Sequence, residues 1–252
     1  MINIISSELY KIIKSKIFYG VLIIFLAMNF IAFILGIKEK LNLSSSEAYD
    51  ESIATGISIF QSSFNADGFI YVILVFTVFL ITSEYINKSI RQMACHGIAR
   101  WKLALGQYIA ISSIITILVL GFGYISLFIF TILFELGSVD IASFLRMNLG
   151  LICIVWTTSS LGVLISHLIR NMGIAMIASL ILVPASNLFT AFISVISKND
   201  NLKVFSFTNI RKAVIDFTLT QKDFLNYFFI LILISIISII LSILLFSKRD
   251  ID

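Results

Sequence analysis

Proline is almost missing from this chain: Pro184 is its one instance in 252 residues. Proline removes a backbone donor and clashes with the turn before it, so its absence leaves long segments free to be helical. Charge is scarce as well. Asp, Glu, Lys and Arg make up 13% of the residues, against roughly 25% in a soluble domain, which excludes a solvated globular fold. Two cysteines, Cys95 and Cys153, are too few for a disulfide framework or a thiolate metal cluster. Two histidines, His96 and His167, do not make a metal site either. There is no GxxxxGK[ST] loop, no HExxH helix and no pair of carboxylates within an apolar run. The chain therefore holds no ATPase of its own, and it is predicted not to be an enzyme.

What it has in abundance is apolar length. Hydrophobic residues account for 59%, with 23 phenylalanines among them. Six runs, at 17–37, 64–83, 104–134, 144–169, 172–197 and 226–246, approach or exceed the ~20 residues that cross a bilayer as a helix. They predict an all-α polytopic membrane protein in one transmembrane domain. The first run stays bulky to its end through Phe25, Met28, Phe30 and Phe33, unlike a signal peptide, and is read as an uncleaved span. The second begins near Phe64, with Asn65, Asp67 and Gly68 at headgroup depth. The third is one tilted helix, or a helix interrupted around Gly121 and Gly123.

Basic residues in short connections stay on the cytoplasmic side. Alternating the six spans puts ten basic and four acidic side chains on the side of the termini, net +6, and eight basic and ten acidic on the other, net −2. Both termini are thus predicted inside. Ahead of the first span, Ile4, Ile5, Leu9, Ile12 and Ile13 recur at helical steps with Lys11, Lys14 and Lys16 on the flank, which predicts an interfacial helix at 3–16. A second amphipathic stretch at 203–218, with Phe205, Phe207, Ile210, Val214 and Phe217, predicts a helix lying flat on the outer surface. The serine-rich segment after the first span is too short to be a module.

Between the second and third spans stands a charged insert, 84–100, reading EYINKSIRQMACHGIAR. Ile86, Ile90 and Met93 fall on one helix side and Lys88 and Arg91 toward another, while Gly97 permits a turn before Arg100. Glu84 is placed to cap this helix or to pair with Arg91 or Arg100. No second acid sits in an adjacent span to support proton transfer.

These residues resemble the permease subunits of type-2 ABC exporters. In that family the second span ends in an acidic residue, matched by Glu84. A short helix with an Ile/Leu-Arg/Lys pair follows, matched by Ile90 and Arg91. A later Gly-x-Ser-Arg is matched by Gly97 and Arg100. Lys88, Ser89 and Ala99 stand where the family has Gly, Thr and Ser. The resemblance implies that 84–100 is the coupling helix, with Glu84, Lys88, Ile90, Arg91, Gly97 and Arg100 docking a cytoplasmic ATPase dimer. That dimer would bind ATP and Mg, and this chain would hold no cofactor. It further implies a second copy or a homologous permease as partner, a bacterial cytoplasmic membrane, and export of an amphipathic peptide or a small hydrophobic compound. The Ile- and Phe-rich, proline-poor composition is similar to small Gram-positive permeases of peptide efflux and self-immunity. The seam between copies is expected at spans one and five. Asn29, Thr157, Thr158 and Pro184 are candidates for helix packing or for the pathway, and the run TTSS with Gly150 and Gly162 suggests tight helix contact. No nucleic-acid partner is expected. Two other classes remain open: a membrane scaffold or immunity protein, which needs no chemistry, and an ion-coupled transporter, which would want ionisable groups at mid-depth.

Overall fold

The structure is a computed structural model, and it describes residues 1–43, 55–65, 67–90, 93, 99–197 and 205–248. Among the described residues every regular element is a helix: α1 (Ile2–Lys14), α2 (Lys16–Leu43), α3 (Gly56–Asn65), α4 (Asp67–Ile86), α5 (Arg100–Leu133), α6 (Ile141–Ile169), α7 (Met172–Ser197), α8 (Phe207–Ile215) and α9 (Gln221–Lys248). Five of them, α4, α5, α6, α7 and α9, are long and apolar enough to cross a membrane. A sixth span is present if α1 and the start of α2, which meet at a 64° bend, are counted together. Ser15 makes that corner. Its hydroxyl donates to the Ile12 carbonyl at 2.7 Å and accepts from the Phe18 amide at 3.2 Å, so it closes one helix and opens the next.

Helix α6 is the centre of the bundle. Of its most apolar stretch 72% is buried, against 11% for α7. Between helices in lipid the hydrophobic effect supplies little, and close contact between small residues supplies more. A Cβ on Gly162 would come within 2.9 Å of Thr77 on α4. The TTSS run is fully buried, and Thr157, Thr158 and Ser160 spend their protons on carbonyls of the preceding turn at 2.7–2.8 Å. Thr157 Oγ1 also lies 3.1 Å from the Leu231 carbonyl, a contact with α9. Thr157 and Thr158 thus pack α6 within the chain. Helix α5 is unbroken through Gly121 and Gly123. The second glycine is where the Phe60 and Phe64 rings of α3 come down on it, 2.6–3.1 Å from where a Cβ would stand.

Two features of the end opposite the termini differ from the sequence expectation. A separate helix, α3, precedes the second span where only a polar loop and a headgroup entry were expected. Thr55 and Ser58 cap it reciprocally, each side-chain oxygen accepting the other's amide proton at 3.0–3.2 Å. Its first free amides donate to the carbonyls of Glu135 and Leu136 in the α5–α6 connection, at 2.7 and 3.2 Å. The second feature is α8, which is sunk into the bundle rather than lying flat on it: Phe207, Thr208, Ile210, Arg211, Val214 and Ile215 are all buried. Gly150 makes room for it, since a Cβ there would run into Val214 Cγ1.

Candidate functional site

At the end of the bundle holding both termini, α4 runs into the charged insert and stops at Ile86. Lys88 closes the turn, its amide donating to the Tyr85 carbonyl at 3.1 Å, and its φ of +56° lies in the left-handed region that glycine adopts without strain. Two residues on, Ile90 is 1% exposed and packs with Leu103 and Ala104 of α5 and Phe246 of α9. Arg100, at the start of α5, donates to the Ser247 carbonyl at 3.2 Å. Tyr85 meets the His167 ring nitrogen Nδ1 at 2.6 Å, with the Arg170 guanidinium 5.4 Å from its ring centroid. Both flanks of the insert are therefore tied to α5, α6 and α9. Arg91 and Gly97 lie outside the described residues.

Glu84 has different partners from those the sequence suggested. Its carboxylate lies 3.6 Å from Lys11 Nζ of α1 and accepts from Gln107 Nε2 of α5. Glu8 of α1 holds the same lysine at 2.6 Å and is 1% exposed. A second acid does stand beside Glu84, then, brought by the N-terminal helix instead of by an adjacent span. Sequence reading passed over it because Glu8 looks like one more polar residue of an amphipathic segment. In the fold it is buried one turn before Ile12 on α1, the helix that packs against α5, where Gly106 leaves space for Ile4.

No protein-family model matches this chain, and no curated protein matches it.

Further along the bundle, Asn29 of α2 accepts from Ser126 of α5 and donates to the Phe25 carbonyl at 2.9 Å. This pair and Ser63 are the polar groups in a mostly apolar cavity of about 230 Å³, walled by Phe25, Phe60, Phe64, Phe69 and Phe122 from four helices. Asn29 is thereby a helix contact and a cavity residue at once. Pro184 is exposed within α7, whose flank also exposes Ile177, Leu188, Phe189 and Phe192. The buried Cys153 lies on α6, 4.0 Å from the Phe228 carbonyl. Among the described residues no three His, Cys, Asp or Glu side chains gather as a metal site would require.

At the opposite end sits a functional-looking group that sequence reading counted only as an outer basic residue. Arg211 of α8 is fully buried. Its guanidinium donates to the carbonyls of Phe64 and Asn65 at 3.1 and 2.9 Å and to Asp67 Oδ1 at 2.6 Å. It therefore bridges the end of α3 and the start of α4, pairing with both the helix carbonyls and the first acid of the span. Burial pulls its pKa down and Asp67 pushes it back up, and a guanidinium so placed stays charged.

Proposed function

We propose that this chain is the membrane-spanning permease subunit of an ATP-driven exporter of the type-2 ABC class, working with a separate ATPase and with a second copy of itself or a similar permease. The observation that carries this reading is the seating of the insert. Ile90 within it and Arg100 at its end are held on α5 and α9, and Glu84 at its start is tied to α1 and α5. A partner that pushes on 84–100 would thus move α1, α4, α5 and α9 together, which is what transmission of a hydrolysis cycle requires. The left-handed backbone at Lys88, where the resembled family has glycine, fits the same register. The phenylalanine-walled cavity with its Asn29–Ser126 spot suits a small hydrophobic compound or a single apolar side chain of an amphipathic peptide. In this reading the exposed apolar flanks of α2 and α7 face lipid and the second permease.

The test is purification of the tagged chain from its native host, followed by reconstitution of whatever accompanies it. An ATPase subunit should copurify. Arg91→Glu combined with Gly97→Pro should leave insertion intact, because other basic residues hold the topology, while substrate-stimulated hydrolysis and export fall to background. Wild-type export by that double variant would reject a coupling role for the insert. Absence of any ATPase from the native complex would favour the scaffold or immunity reading instead.

A further inference from the structure

We infer that Glu8 of α1 and Glu84 of α4 form a binding site for one proton, and that release of this proton to water lets α1 leave α4 and α5. Both acids line a cavity of about 240 Å³ at the end of the bundle holding the termini, together with Lys11 and Gln107. Their side chains are hydrogen-bonded to each other. Ionised carboxylates can only accept, so this contact requires a proton between the two groups. Lys11 Nζ lies 2.6 Å from Glu8 and 3.6 Å from Glu84, which favours the charge on Glu8 and the proton on Glu84. One carboxylate, one carboxylic acid and one ammonium leave the cavity electrically neutral, in a place where Glu8 is 1% exposed.

The surroundings are poorly equipped for a second negative charge. Beside the two acids, α4 adds Ser83 and Asn87 and α5 adds Gln107, none of them titratable, so among the described residues Lys11 is the one cation lining the cavity. Ser15 gives its proton to the Ile12 carbonyl and Ser83 gives its own to the Leu80 carbonyl, each at 2.7 Å. Loss of the shared proton would therefore leave a net charge of −1, buried and set against a like charge. Helix α1 is the element able to give way. It has 13 residues and meets α2 at the 64° corner, so it can swing there without unseating a span, and doing so returns Glu8 to water. The docked chain holds a proton that the unfolded chain has given up by neutral pH. This contribution to stability is complete in acid and is lost as pH rises through the second ionisation of the pair. The proton thus sets how firmly α1 rests at the root of the insert. This inference does not depend on the transport reading, since it concerns the docking of α1 alone.

The experiment uses the purified full chain in lipid bilayers, titrated from about pH 6 to about pH 9, below the ordinary lysine range. Infrared difference spectra should show the carbonyl stretch of a protonated carboxyl group, lost as the pH rises. In a background without Cys95 and Cys153, a nitroxide on Tyr10→Cys, an exposed position of α1, should become more mobile over the same interval. Glu84→Gln keeps the shape and puts an amide donor where the proton lies, so Glu8 and Lys11 stay balanced at every pH. That variant should lack the carbonyl band and hold the nitroxide ordered throughout, and Glu8→Gln should lack the band as well. Should Glu84→Gln not fold, Glu8→Gln carries the comparison. Absence of any protonated-carboxyl signal from the unsubstituted chain would overturn the site, as would a band that survives both substitutions. A nitroxide whose mobility ignores pH in the parent, or rises equally in Glu84→Gln, would overturn the release of α1.

Discussion

Arg211 is the residue on which the end far from the termini depends most. One guanidinium meets two carbonyls and a carboxylate because its fork presents several donors in fixed directions, which an ammonium does not. Asp67 is half exposed and tolerates losing its partner, whereas the Phe64 carbonyl is met in the interior. Replacing the arginine therefore costs mainly the charged hydrogen bonds, at about 1.5–3 kcal/mol each. Arg211→Met should lower the unfolding temperature of the detergent-purified chain by several degrees. Arg211→Lys should recover less than half of that loss, and Asp67→Asn should be the mildest of the three. Equal stability of the Arg211→Met variant and the parent would remove the clamp from the account.

Helix α8 illustrates how an element's position is decided by its neighbours. Its apolar spacing is that of any surface-seeking amphipathic helix, and its basic residues suggested the water side. What sinks it is the missing side chain at Gly150, together with polar anchors on either hand: Gln61 Nε2 donates to the Ile215 carbonyl at 3.0 Å and Asn187 Nδ2 to Thr208 Oγ1 at 2.9 Å. Gly150→Leu should lift α8 off α6. In a background without Cys95 and Cys153, a Thr208→Cys thiol should resist a membrane-impermeant maleimide, and adding Gly150→Leu should make it label readily. Identical protection in both would mean that α8 is held from elsewhere. The same principle explains α3, whose apolar residues Ile57, Phe60 and Phe64 are buried only because Gly56 and Gly123 let it approach α5 so closely.

For the whole molecule, the grouping of α1, the α4–α5 junction, the α6–α7 turn and the C-terminal part of α9 at one end collects most of the basic side chains there. The positive-inside bias then predicts that this end faces the cytoplasm. Asn209 and Asn87 are both exposed and lie at opposite ends. With the native cysteines removed, Asn209→Cys should label with an impermeant maleimide in intact cells and Asn87→Cys only after lysis. The reverse pattern would invert the protein in the membrane. The exposed apolar faces of α2 and α7 belong to the same scale. Under the proposed function they meet a second copy or a similar chain, so the native complex should contain two such chains by mass, and a fully active complex with one would refute the pairing.

Hydrophobic length and the scarcity of charge and proline sufficed, in the sequence alone, for an all-α polytopic architecture and for the approximate bounds of its long helices. This works because a backbone in lipid must satisfy its own polar groups, so apolar length translates directly into helix. The TTSS run and Gly162 were also legible as close-packing positions, since small residues have few other uses there. Tertiary structure alone decided the rest. That Glu8, Lys11, Glu84 and Gln107 share one cavity depends on the 64° bend at Ser15 and on the space over Gly106. That Arg211 reaches Phe64 and Asn65 depends on how deeply α8 settles over Gly150. Such meetings join residues far apart along the chain, and periodicity along one helix carries no information about which other helix comes to rest on it.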